Sequence, residues 1–160
     1  MVTPELLSRY PFFGFLKPTQ LNKIAKIAKE ETYDRGALLF REKEIAETFY
    51  ILLQGSIELY FTMEVEYHPE LRKELKFRVI YPGESFGISA FIEPHVLTSS
   101  ARATEPSRVI KIDAAPMLEM CEKDEKLAYA LTYQVAKAAM DRLNSTRLQL
   151  AAAWKPVQTA

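Results

Sequence analysis

The sequence predicts an α+β domain, with helices first, then many short strands, then helices again. Two observations predict it. Over about residues 32–112, short runs rich in β-branched and aromatic residues alternate with Gly or Pro turns. On both sides of that region the apolar residues recur three and four apart instead, and the last such stretch, over about residues 124–153, contains neither Gly nor Pro before Pro156. Many short strands with regular turns imply a β-sandwich, roll or barrel.

The elements follow in order. Pro4-Glu5-Leu6-Leu7-Ser8 reads as a first turn or two of helix after Thr3. Thr19 is placed to cap a second helix, with Leu21, Ile24, Ala25, Ile27 and Ala28 on one face and an end near Glu30. Strands are expected at 37–40, 49–53, 57–61, 77–81 and 108–112. The highly charged stretch 64–74, which holds His68, reads as a solvated hairpin loop or a docking loop. Asp113 is an expected N-cap, since Pro116 fits only the first turn of a helix, and Asp124 caps the long helix that follows. This divides one domain, 1–160, into N-terminal helices (1–30), a β-region (31–112) and C-terminal helices (113–154).

The long helix carries two apolar stripes. Leu127, Leu131, Val135 and Ala138 form one, suited to the β-region. The other holds Tyr129, Tyr133, Ala136, Met140, Leu143, Arg147, Leu150 and Trp154, at coiled-coil spacing from Tyr133 onward. A surface helix needs one apolar stripe, so the second fits a partner helix in a homodimer, or else a groove of the same domain.

Composition removes several classes of function. The 160 residues hold 21 Lys and Arg against 21 Asp and Glu, so the basic excess typical of nucleic-acid and membrane-surface proteins is missing. One Cys excludes an internal disulfide and any four-thiolate metal site, and two His restrict metal chemistry further. No secretory leader or membrane-length apolar run is evident, so a reducing cytoplasm is the expected setting. Cys121 has no His base near it in sequence, His68 and His95 are too far apart for a β-barrel metal pair, and haem at His95 lacks a second ligand. No P-loop, Ser-His-Asp order or paired-carboxylate site stands out.

Four of the 5 glycines fall in the β-region, each at an expected turn where positive φ or close backbone approach is needed. Around them the chain reads Arg35-Gly36-Ala37-Leu38-Leu39-Phe40-Arg41-Glu42, then Phe49-Tyr50-Ile51-Leu52-Leu53-Gln54-Gly55-Ser56-Ile57-Glu58-Leu59, then Pro82-Gly83-Glu84-Ser85-Phe86-Gly87-Ile88-Ser89-Ala90, and finally Ser100-Ala101-Arg102-Ala103. In order and spacing this resembles the cyclic nucleotide-binding domain family, the sensor module of catabolite-activator-type regulators. The resemblance implies an eight-stranded β-roll of the jelly-roll type, flanked by N-terminal helices and two C-terminal helices, the last one long. It also implies a ligand cassette running from the Gly-Glu-x-Phe-Gly segment to the following strand. Independently, Gly87 permits close approach, Ile88-Ser89-Ala90 suits the start of a short helix with free N–H groups, and Ser89, Thr98, Ser99 and Ser100 offer hydroxyls.

The departures from the family pattern bear on the ligand. A Glu that accepts the ribose hydroxyl is replaced by Ile88, and an Arg that pairs with the cyclic phosphate is replaced by Leu97, beside Thr98. Arg102 is a poor substitute, because an odd offset along a strand points it to the other face. Losing both anchors weakens binding by about 2–5 kcal/mol. The candidate ligand residues are Phe86, Gly87, Ile88, Ser89, Ala90, Leu97, Thr98 and Ser99. To these the resemblance adds Thr146 and Arg147, by alignment of Arg142-Leu143.

The expected function is therefore a non-catalytic ligand-sensing module with weak or altered cyclic nucleotide binding. It would signal through a dimer helix to a protein partner, with no DNA contact of its own because the sequence stops at Ala160. It would hold no permanent cofactor, only a cyclic nucleotide or other small ligand. The alternative is a scaffold domain that has lost ligand binding.

Overall fold

The structure is a computed structural model and describes residues 1–65 and 68–154. Glu66, Tyr67 and residues 155–160, Pro156 among them, lie outside the described residues. Helix α1 (Pro4–Ser8) is capped by the Thr3 side chain, which accepts from the Leu6 N–H. A 3-10 turn (Pro11–Phe13) leads to α2 (Pro18–Ile27). The strands are β1 (Ala28–Tyr33), β2 (Leu38–Phe40), β3 (Thr48–Gln54), β4 (Ile57–Val65), β5 (His68–Ile80) and β6 (Ser85–Phe86). After a 3-10 helix (Ile88–Phe91) come β7 (Ser100–Ala103) and β8 (Ser107–Asp113), then α3 (Ala114–Lys123) and α4 (Glu125–Ala153).

The eight strands form two antiparallel sheets, ordered β1-β8-β3-β6 and β2-β7-β4-β5, as the β-roll expectation requires. The core divides in two because successive strand residues face opposite ways. Phe49, Ile51, Ile110 and Ile112 face the helices, where they meet Leu7, Phe13, Ile24, Met117, Leu127, Leu131 and Val135. Tyr50, Leu52 and Val109 face the inside of the roll, with Phe40, Ile57, Leu59, Ile80, Phe86 and Leu97. Strand β3 is covered on both faces, which explains its unbroken Phe-Tyr-Ile-Leu-Leu run.

Three local expectations are corrected. Lys17 rather than Thr19 is the N-cap of α2, because Pro18 takes the first helical position and the Gln20 side chain accepts from the Lys17 N–H at 2.9 Å. The helix stops at Ile27 rather than near Glu30, because residues 28–33 pair with β8 along the whole of β1, starting with Ala28 opposite Ile112. The stretch 64–74 is mostly strand, not loop. Thr62 pairs with Glu74 and Met63 with Lys73, and the side chains of Glu64 and Arg72 meet across the ribbon at 3.3 Å. This charged ribbon belongs to β5, the edge strand of its sheet, where charge discourages pairing with another chain.

The long helix forms where expected. Asp124 accepts from the Leu127 N–H at 3.0 Å and from Gln20 Nε2 at 2.9 Å, so one carboxylate caps α4 and ties it to α2. Its 29 residues extend about 43 Å at the helical rise. The N-terminal half seals the helical side of the core. The C-terminal half lies over β5 and β6, where Arg142 Nη2 donates to the Ser85 carbonyl of β6 at 3.1 Å and Gln149 Nε2 donates to the Phe77 carbonyl of β5.

Candidate functional site: the cassette and the face of the long helix

Two glycines shape the roll's turns. Gly87 has φ +75, and a Cβ there would stand 2.8 Å from the Thr48 carbonyl oxygen. Gly55 has φ +96, and its Cβ would lie 2.7 Å from the Pro106 carbonyl oxygen. Neither position accepts a side chain without moving backbone. Gly87 therefore brings the cassette backbone against β3, and the Phe86 ring stacks on Tyr50 at 4.9 Å between centroids.

The 3-10 helix after Gly87 is held by Ala90 N–H donating to the Gly87 carbonyl and Ile92 N–H donating to that of Ser89. Ile88 leans on the helical side of the core, and Ala90 is buried inside the roll. Segment 95–97 is bonded to segment 43–46: Leu97 N–H donates to the Glu44 carbonyl, and Lys43 N–H to that of Leu97. This clamp fixes which way each side chain points. Leu97 is 6% exposed and belongs to the roll interior, Thr98 is exposed, and Ser99 is buried. Hydrocarbon thus stands at both positions where the resemblance puts an acid and a guanidinium.

Arg102 points away from Leu97, as the strand offset predicts. Its Nε donates to Glu58 Oε1 at 2.8 Å, its Nη2 reaches Glu74 at 2.8 Å, and its guanidinium lies 4.5 Å from the Tyr60 ring centre. Glu74 and then Glu58 hold its proton more tightly than usual. Burial raises the Glu58 carboxyl, but Lys76 and Arg102 outweigh it and leave the net shift downward. This cluster braces the outer face of the second sheet.

The other singled-out residues are spread more widely. Thr146 is exposed and bonds back to the Arg142 carbonyl of its own helix at 2.9 Å. Arg147 is exposed on α4 and, among the described residues, has no hydrogen-bond or ion-pair partner. His95 Nδ1 lies 3.1 Å from the Ala90 carbonyl, which calls for a proton on that nitrogen and makes the ring a tie between loop and 3-10 helix. Burial, with Asp124 adding to it, pushes the Cys121 thiol up, away from a reactive thiolate. Among the described residues, no group of three or more His, Cys, Asp or Glu is arranged to hold a metal ion. Among the described residues, no helix is long and apolar enough to cross a membrane.

The second stripe of α4 faces outward. Tyr129 is 73% exposed, Met140 54% and Trp154 75%, with Tyr133, Leu143 and Leu150 also open. Phe15 adds an exposed ring at 6.4 Å from that of Tyr133.

Sequence reasoning missed a cavity between α4 and the turn joining β5 to β6. It is lined by Arg78, Glu84, Gln134 and Arg142, among others. The available clue was Gln134, a polar residue next to Val135 in the apolar stripe of α4. Nothing in the sequence placed Arg78 opposite it.

Comparison with known proteins agrees with this architecture. The model of the cyclic nucleotide-binding domain matches residues 30–124, more than half of the chain. A solved protein of Geobacter metallireducens GS-15, assigned as cyclic nucleotide-binding, is 37% identical, with a TM-score of 0.78 over 89% of this chain and 99% of its own. The sensor domain of the transcriptional regulator DNR of Pseudomonas aeruginosa shares the fold, at 24% identity and a TM-score of 0.66 over 84% of this chain and 91% of that one. The cGMP-dependent protein kinase egl-4 of Caenorhabditis briggsae is 27% identical over 110 residues, 68% of this chain but only 14% of the kinase. The similarity is thus to a regulatory segment, and the chain spans about a seventh of that relative. From the glycine turns through the two sheets to the capped α4, this chain belongs to the cyclic nucleotide-binding domain family.

Proposed function

We propose that this domain is a non-catalytic regulatory module whose cassette binds cyclic nucleotides weakly or accepts a less polar ligand. The burial of Leu97 inside the roll carries this reading. A cyclic phosphate brought there would lose its water without gaining a guanidinium fork, and an unpaired buried anion is costly. Ile88 likewise offers a ribose hydroxyl no acceptor. Phe86, Gly87, Ser89, Ala90, Thr98 and Ser99 would line what remains of the cassette. Thr146 and Arg147 would approach a ligand only if α4 moved or a second copy supplied them.

The output runs through α4. Its outward stripe of Tyr129, Tyr133, Ala136, Met140, Leu143, Leu150 and Trp154 pairs with the same stripe of a second copy. A ligand that favours one setting of α4 then shifts the population of the dimer that a protein partner reads. A setting in the cytoplasm fits these partners. Direct DNA contact is not part of this reading, because the chain carries no basic excess.

Thermal shift with cyclic AMP, cyclic GMP and cyclic dinucleotides tests the sensing role. At ligand 100-fold above its Kd, stabilisation approaches about 2.7 kcal/mol, which raises the melting temperature by several degrees. A shift that needs millimolar nucleotide supports weak sensing. No shift with any nucleotide selects the alternative, a scaffold domain that has lost ligand binding, which the filled interior would equally serve.

A further inference from the structure

We propose that the cavity between α4, the β5–β6 turn and the Pro11–Phe13 turn is a binding site for a phosphate group, held by Arg142, Arg78 and Gln134. The cavity measures about 170 Å³, which accommodates a phosphate and the first atoms attached to it. It lies against segments 83–85, where the cassette begins, and 134–142, but Gly87, Ile88, Leu97 and Thr98 do not line it, so it is separate from the cassette's anchor positions.

The donors in this cavity exceed the acceptors offered to them. Gln134 is 6% exposed, and among the described residues its Nε2 has no hydrogen-bond partner. Arg78 Nε is buried and unpartnered in the same way. A buried N–H left unbonded is destabilising, and such groups rarely persist without a partner of some kind. Glu84 does not supply the missing acceptor: one of its oxygens takes Arg78 Nη2 at 2.8 Å and the other takes the Tyr81 N–H at 2.8 Å.

Charge points the same way. Arg78, Lys137 and Arg142 line the cavity against Glu84 and Asp141. Among the described residues, Arg142 reaches only a neutral acceptor, the Ser85 carbonyl. Burial and then the charge of Arg78 push its guanidinium down to about 10, with Glu84 opposing in part. A guanidinium in that condition gains most from an anion able to take two parallel N–H donors. A water molecule would satisfy one donor and leave the charge uncompensated. A phosphate offers enough oxygens to meet Arg142, Arg78 Nε and Gln134 Nε2 together.

The site also couples to the helix that carries the outward stripe. Gln134 and Arg142 belong to α4, while Arg78 belongs to β5 and the Ser85 carbonyl to β6. A bound phosphate therefore ties α4 to the roll and favours one position of that helix.

The test is a thermal shift of the full chain in phosphate-free buffer, at ionic strength held constant with chloride. The probes are inorganic phosphate, glycerol phosphate as a free monoester, and succinate as a carboxylate. Phosphate or the monoester at 100-fold above its Kd is expected to raise the melting temperature by about 5–10 °C. The larger response of the two identifies the natural source as free phosphate or a phosphorylated molecule. Gln134→Leu is expected to lose most of that response while melting no lower than wild type without anion, since it removes an orphaned buried amide. Arg142→Met is expected to abolish the response, whereas a response arising in the cassette would survive it, which separates this proposal from the cyclic nucleotide reading. Absence of any phosphate response beyond that of chloride overturns it, as does a response kept in both cavity variants. A shift from succinate alone overturns the phosphate assignment. A Gln134→Leu protein that melts several degrees lower without anion also overturns it, because the amide would then serve the fold alone.

Discussion

The cassette around Gly87 and the junction beneath α4 are built with opposite chemistry. The cassette has a glycine at φ +75 and a short 3-10 helix after it, and in the proposed reading Leu97 and Ile88 stand at its anchor positions. The junction gathers two arginines, a lysine and a buried amide, with Glu84 and Asp141, around an open volume. A fold can thus keep the shape of a binding site while losing its charges, and collect charge where the family pattern does not call for it. Shape is set by turns and cores that must survive for the protein to fold. Anchoring side chains are freer to change.

The largest effect expected from breaking this contrast comes from Leu97→Arg. Placing a guanidinium in the roll interior removes a buried leucine and adds an uncompensated charge, at about 3–5 kcal/mol in denaturant unfolding. Cyclic AMP at millimolar concentration should restore part of that loss. A variant as stable as wild type without ligand would mean that Leu97 does not face the interior. Next is Gly87→Ala, which forces a side chain into positive φ and against the Thr48 carbonyl, and should cost about 1–3 kcal/mol. Gly83→Ala has the positive φ but meets nothing within 4 Å. It should cost about 1 kcal/mol, so the difference between the two variants isolates the close approach.

The outward stripe of α4 gives a sharper yes-or-no result. Met140→Glu with Leu143→Lys should convert a dimer into a monomer by light scattering, with little change in melting temperature at low concentration. A wild type already monomeric at high concentration removes α4 pairing from the proposed output.

The smallest effect concerns pH. Glu58 has a folded pKa below its unfolded value of about 4.3. The stability it contributes is therefore present above that value and is lost as the pH falls through the folded pKa. Glu58→Gln should flatten the acid side of the stability profile below about pH 4.5 and lower stability at neutral pH by about 1 kcal/mol. An unchanged acid limb would mean that the Arg102 and Lys76 contacts are not maintained in solution.

Much of the architecture was legible because it rests on local chemistry. The glycine turns announce themselves by residue type, α4 by its Asp124 cap and its length, and β3 by an apolar run covered on both faces. What escaped was decided by partners distant in sequence. Residues 28–30 carry a helical pattern, but β8 draws them into a ladder about eighty residues away along the chain. The charged stretch 64–74 looks like a loop until its register with β4 is seen. The alternation around Leu97 and Arg102 was readable, since strand period alone separates their faces. The cavity was not, because it unites Arg78, Gln134 and Arg142 from segments more than fifty residues apart, and no local spacing encodes that meeting.

Calorimetric titration of cyclic AMP and cyclic GMP into the wild-type protein and Leu97→Arg addresses the cassette most directly. Hydrocarbon at the anchor positions predicts that the wild type binds at least about 30-fold more weakly than the arginine variant, the factor that 2 kcal/mol represents. Tight binding by the wild type, unimproved by the new guanidinium, would contradict it.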